Sequence, residues 1–324
     1  MRHRSPATPA LAVAVAVLLA ACSPVPSTSP ASAGASASAA GSSASAPASG
    51  SQAPATVIPE IVSSQQIVGP NRFLFSFLDA KTNQPAAAPD RTAAVAFIAP
   101  GESQTGPAIA GTFVWGITGT TGVYVTSVDF PTAGNWTAVF VTEAPGKPKE
   151  AVGVSFDVRA KSTTRIVGEK APSSVTPTAA DVNGDVTRIS TDPSPSPAFY
   201  QLSVDQAEQQ GRPFVVIFAT PRFCQSRQCG PTLDVVKAIA KTSPGNVSFI
   251  HVEPYKLTFT DGTLQPVLDA NNQLQPTDVT NDQWGIVSEP WVFTVDRTGI
   301  IRGSFEGIVG TDELKAAIAQ IAGS

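Results

Sequence analysis

Chemistry-bearing side chains are scarce in this chain. Its 324 residues include three cysteines, two histidines and one methionine. Histidine stands only at positions 3 and 251, so no Ser-His-Asp set has local support and no histidine-rich metal centre can form. Charged residues are 14% of the chain, and a formal net charge of −4 lacks the basic footprint that nucleic acid requires. Nucleic acid is therefore not an expected partner. There is no P-loop and no glycine-rich dinucleotide fingerprint, so no cofactor is implied. The apolar and small-residue run Ala10–Ala21 is too short to span a bilayer comfortably.

What the chain does have begins at that run. Arg2 and Arg4 precede it as a basic n-region, which predicts a signal peptide over residues 1–21. The run ends in Leu19-Ala20-Ala21-Cys22, which resembles the bacterial lipobox. The resemblance implies cleavage before Cys22, thioether lipidation of its sulfur and acylation of its new amine. The protein would then sit lipid-anchored on the extracytoplasmic face of the cell membrane, because two or more chains hold a protein there stably. An ordinary secretory signal with a cysteine in that place is the alternative. Residues 22–57 are almost entirely Ser, Ala, Pro and Gly and predict a disordered tether.

Over 58–160 the pattern changes to short alternating runs. Phe73, Phe75 and Phe77 share one strand face. Val152, Val154, Phe156 and Val158 share another, with Gly153, Ser155, Asp157 and Arg159 opposite. Together with Ala93–Ile98, Gly111–Gly116, Gly122–Phe130 and Trp136–Thr142 this makes about six strands separated by turn signals, the signature of a β-sandwich. Trp115 and Trp136 are expected in its core. The Ala-Gly-Asn-Trp turn at 133–136 looks like that of immunoglobulin-like extracytoplasmic domains of the YtkA or FixH sort.

Residues 161–198 are again rich in Pro, Ser and Thr and predict a linker, with partial order near 167–172. From 199 to 324 the elements alternate. Ser203 and Gln206 form a capping box that opens a short helix, which Gly211 ends. A strand over Pro213–Ala219 leads into a polar loop carrying Cys224 and Cys229. Gly230-Pro231 then opens a helix, and Pro231 fits its first turn because the missing N–H costs nothing there. Next come a strand over Asn246–Glu253, a long polar insertion over Pro254–Asp282, and strands at Trp291–Asp296 and Ile300–Phe305. Thr311, followed by Asp312 and Glu313, is expected to cap a final helix that ends near Ala322.

This order resembles the thioredoxin superfamily, in its TlpA/ResA-like and redoxin branch, over residues 165–324. Phe218-Ala219-Thr220 ahead of the cysteine loop, Gly285-Ile286 up to Pro290, and Val295-Asp296-Arg297-Thr298-Gly299-Ile300 carry the likeness. The predicted architecture is thus multidomain, an all-β immunoglobulin-like sandwich followed by an α/β thioredoxin fold. The resemblance implies thiol–disulfide oxidoreductase activity on extracytoplasmic protein thiols or a redox partner. Cys224 and Cys229 would be catalytic, with Pro290 in cis beside them and Pro231 as support. Cys-x4-Cys departs from the family's Cys-x2-Cys, and two alignments compete. One makes Cys224 the nucleophile; the other makes it Cys229, closest to the helix dipole. Ile217 and Phe218 stand where many thioredoxins carry a buried acid, which removes an obvious proton carrier. A non-catalytic binding lipoprotein with a structural disulfide stays open. So does a Sco-like copper site of Cys224, Cys229 and His251, although a half-buried strand histidine explains His251 more simply. Otherwise no metal site is expected.

Overall fold

The computed structural model describes residues 54–323. The expected signal peptide, the lipidation site Cys22 and the tether up to residue 53 lie outside them. Strand dominates over helix, and the described residues belong to one compact unit.

Its first half is a β-sandwich. One sheet pairs β1 (Val57–Ile61), β3 (Gly69–Asp79), β7 (Thr121–Phe130) and β6 (Thr112–Ile117) in the order β1-β3-β7-β6. The other runs β2-β9-β8-β4-β5, from β2 (Gln66–Ile67), β9 (Glu150–Arg159), β8 (Gly134–Glu143), β4 (Thr92–Ile98) and β5 (Ile109–Ala110). Nine strands replace the expected six, because β2 and β5 are too short to show alternation and Pro59 breaks the strand signal of β1. The predicted phenylalanine face is the core. Phe73 meets Phe97 edge-on at 5.2 Å between ring centres, and Phe75 meets Phe140 at 5.1 Å. Such pairs add about 0.5–1.5 kcal/mol each beyond area burial. Trp136 is in this core, but Trp115 is not. It is 36% exposed and leans edge-on against Phe113, since β6 is an edge strand and leaves its outer end uncovered.

The second half holds a mixed four-stranded sheet ordered β11-β10-β14-β15. Central β10 (Phe214–Phe218) runs parallel to β11 (Ser248–Val252) and antiparallel to β14 (Trp291–Val295), which pairs antiparallel with β15 (Ile301–Glu306). Every residue of β10 and β14 is buried, as a near-continuous apolar run predicts for a strand covered on both faces. On one face Val215 and Ile217 pack with Leu233, Val236 and Ile239 of α2 (Cys229–Ala240) and Leu314, Ile318 and Ile321 of α3 (Thr311–Ala322). On the other, Phe214, Val216 and Phe218 meet Val204 and Ala207 of α1 (Val204–Gln209) and the buried Trp284.

Ser203 accepts from the Gln206 amide at 3.4 Å and donates its own amide to Gln206 Oε1 at 3.1 Å, the expected capping box. Gly211 takes the left-handed conformation, φ 59°, that ends α1. At α3 the cap shifts by one residue. Gly310 is the N-cap and donates to Glu313 Oε2 at 3.3 Å, while Thr311 is already helical. The polar insertion contains a hairpin, β12 (Leu257–Thr260) and β13 (Thr263–Pro266), and a wide helical turn at Val279–Gln283.

The stretch 161–198 is structured along its length and packs on the sheet. Gly168 and Ala171 donate to the carbonyls of Ile301 and Gly299 at 2.9 and 2.8 Å, forming an edge bridge to β15. Its serines and threonines supply backbone partners that a loop otherwise finds in water.

Candidate functional site

The disulfide-bonded Cys224 and Cys229 lie where the carboxyl end of β10 turns into α2, their Cα atoms 6.0 Å apart. Cys229 is the first residue of α2 and is fully buried; Cys224, in the loop, is half-buried. Pro231 is the third residue of the helix, among the first-turn positions whose N–H groups have no partner inside the helix. The Cys229 amide points at Cys224 and donates to its Sγ at 3.3 Å. The helix end is thus directed at the more accessible sulfur. Ser226 Oγ lies 3.3 Å from the same sulfur and donates to the Glu289 carbonyl at 3.3 Å, tying the cysteine loop to the segment before Pro290. The Glu289–Pro290 bond is cis, as expected, and Pro290 is buried. Arg222 and Arg227 are exposed and flank the pair as solvated loop charges.

Glu289 is the residue that the sequence reading passes over. One of its carboxylate oxygens and the two sulfurs all lie within 4.8 Å of one another. Tyr255, from the polar insertion, donates its hydroxyl to Glu289 Oε2 at 2.5 Å. Burial pushes the Glu289 carboxyl above its ordinary pKa. The only signal was its place directly before Pro290.

His251 does not join this group. It is buried in β11, 3% exposed instead of half-buried, because β11 lies under the segment Pro197–Tyr200. Its Nε2 donates to the Ala219 carbonyl at 2.9 Å, and its Nδ1 lies 2.7 Å from the Tyr200 hydroxyl. Burial lowers its pKa to about 4, so the ring is neutral. Two residues on, the Glu253 carboxyl accepts from the amide and hydroxyl of Thr191 at 2.6 and 2.7 Å. Burial raises it to about 7. A half-buried acid with one oxygen sealed from solvent therefore does exist on this sheet, contributed from just beyond β11 and not from β10.

The sandwich reaches the same region. A side chain on Gly116 of β6 would run into Ile308 and into Gln228, the residue before Cys229. Among the described residues no helix is long and apolar enough to cross a membrane. Comparison with known protein families, with curated proteins and with solved structures gives no match in any of the three.

Proposed function

We propose that the protein is a lipid-anchored extracytoplasmic thiol–disulfide oxidoreductase in which Cys224 is the attacking sulfur and Cys229 the resolving one. One observation carries the reading. The half-buried Cys224 sulfur receives the first amide of α2, so on reduction its thiolate is stabilised where a partner can reach it. Exposure and helix dipole, which pull apart in the sequence, here favour the same residue. The mixed sheet ordered β11-β10-β14-β15, with helices on both faces and the cysteines after its central strand, supports a thioredoxin-like domain. The two-sheet sandwich supports an immunoglobulin-like partner domain. Lipidation at Cys22 would hold both at the membrane.

In the reducing direction the Cys224 thiolate attacks a substrate disulfide, forming a mixed disulfide and expelling one substrate thiolate. Cys229 then attacks Cys224 Sγ, expels the second and closes the internal disulfide, so two electrons pass to the substrate. The oxidising direction is the reverse.

The full burial of Cys229 favours a second reading, a structural disulfide in a binding lipoprotein. The reduction potential separates the two. A catalytic pair lies at roughly −120 to −270 mV and a structural one below about −300 mV. Cys229→Ser is expected to trap mixed disulfides through Cys224, and Cys224→Ser is not. A potential below −300 mV with no trapped partner from either variant would sink the oxidoreductase reading. Copper held by both cysteines and His251 is disfavoured, since both ring nitrogens of His251 are engaged elsewhere.

A further inference from the structure

We infer that the reduced protein holds a divalent zinc-class cation on Cys224 Sγ, Cys229 Sγ and a Glu289 carboxylate oxygen. These three donors already lie within 4.8 Å of one another. Opening the disulfide lets the sulfurs separate toward the spacing of a tetrahedral centre, with metal–sulfur bonds near ~2.3 Å and metal–oxygen bonds near ~2.0 Å. Two thiolates and a carboxylate suit zinc; a site for monovalent copper would use the thiolates alone.

The surroundings are those of a ligand set. Tyr255 orients the Glu289 carboxylate through its hydroxyl at 2.5 Å, the kind of outer contact that fixes metal-binding carboxylates. Among the described residues no lysine or arginine pairs with Glu289, so its half-buried charge is available to a cation. Cys229 brings its thiolate at the first position of α2, and Cys224 receives an amide. The fourth position is left to water or a substrate donor.

The chemistry balances with a dithiol as reductant. It delivers two electrons to the Cys224–Cys229 bond and leaves as a cyclic disulfide. The two cysteine sulfurs take up the dithiol's two protons as thiols, and these protons are released to solvent as the metal binds the thiolates. Of the function proposed above, the site requires only that the disulfide can be opened.

The test uses the described unit, residues 54–323, reduced with excess dithiol, freed of reductant without air and titrated with Zn²⁺ against a chromophoric chelator. Co²⁺ serves as the spectroscopic probe. One equivalent of metal is expected, with thiolate-to-cobalt charge transfer in the near ultraviolet and tetrahedral visible bands. The oxidised protein binds none. Glu289→Gln keeps the shape and the Tyr255 contact; it is expected to weaken zinc binding ~10-fold or more, with circular dichroism unchanged. Tyr255→Phe weakens it less. Wild-type affinity in a folded Glu289→Gln variant, or no stoichiometric uptake by the reduced wild type, would overturn the site. Zinc uptake without thiol–disulfide exchange leaves the site standing and removes the oxidoreductase reading; exchange without zinc uptake does the reverse.

Discussion

His251 is buried and Glu253, two residues on, is half-buried with its Oε2 sealed from solvent, and their titrations oppose each other. His251 has a folded-state pKa of about 4 against an ordinary 6.5, because burial disfavours its charged form. The unfolded chain therefore binds more protons between those values, and stability rises with pH across that window. Glu253 is raised from 4.5 to about 7 by the same burial. Its contribution is fully present below pH 4.5 and is lost as pH rises through about 7. Each span of about 2.5 pH units amounts to roughly 3 kcal/mol at most. The two slopes cancel between about pH 4.5 and 6.5, and only the Glu253 loss continues above. Glu253→Gln keeps an oxygen for the Thr191 donors and removes one slope. Its chemical-denaturation stability is expected to climb between about pH 4.5 and 6.5, where the wild type is flat, and to exceed the wild type at pH 8. Parallel curves for the two proteins would show that Glu253 titrates as in the unfolded chain. None of this was legible in the sequence. A lone histidine in a strand declares its face but not its depth, and Glu253 follows the strand where alternation gives no guidance.

At the scale of elements, regular strands and capped helices were readable because they rest on local chemistry. The phenylalanine face of β3, the alternation of β9, the apolar run of β10 and the Ser203 capping box are where the residues put them. The cysteine pair at a helix start was equally plain. The third donor was not, because Glu289 and Tyr255 are brought to the sulfurs by two separate irregular segments. Residues 161–198 were hardest, since their order comes from long-range contacts that composition does not encode. Thr164 Oγ1 donates to the Gly285 carbonyl at 2.8 Å, the Arg165 amide donates to Trp284 O at 3.1 Å, and Trp284 Nε1 donates to Ser174 Oγ at 3.0 Å. Gly285 makes this strap possible. It has φ +64°, and a β-carbon there would overlap the Thr163 carbonyl oxygen and carbon. Gly285→Ala should therefore cost about 2 kcal/mol or more. It should also raise protease sensitivity within 161–175, read by limited digestion and mass spectrometry. A fully stable, uncut variant would mean that the strap does not depend on this close approach.

On the scale of the molecule, a half-buried arginine and a small apolar seam join the sandwich to the mixed sheet, beside the Ser64 amide, which donates to the Glu306 carboxylate. Arg72 on β3 donates from Nε and Nη2 to the Glu313 carboxylate at 2.7 and 2.9 Å, from Nη2 to the Ile308 carbonyl at 2.7 Å, and from Nη1 to the Glu306 carbonyl at 3.2 Å. Its side chain is 14% exposed, and it lies over the Phe305 ring. Beside it Ile308 packs against Leu74 and Val123, which are 1% and 2% exposed, on the outer face of the sandwich sheet. The sandwich has a complete core of its own, so a 54–160 fragment is expected to unfold cooperatively. Every polar partner of the Arg72 side chain lies beyond residue 300. Arg72→Ala should thus cost the 54–323 unit about 2 kcal/mol, because it leaves Glu313 and two carbonyls without a charged donor. In the 54–160 fragment the same change should fall within about 0.5 kcal/mol of zero, the range of surface substitutions. Urea unfolding of the four proteins decides it. An equal loss in fragment and longer chain would place the role of Arg72 inside the sandwich and leave the seam to its other contacts, Ile308 and the Ser64–Glu306 hydrogen bond among them.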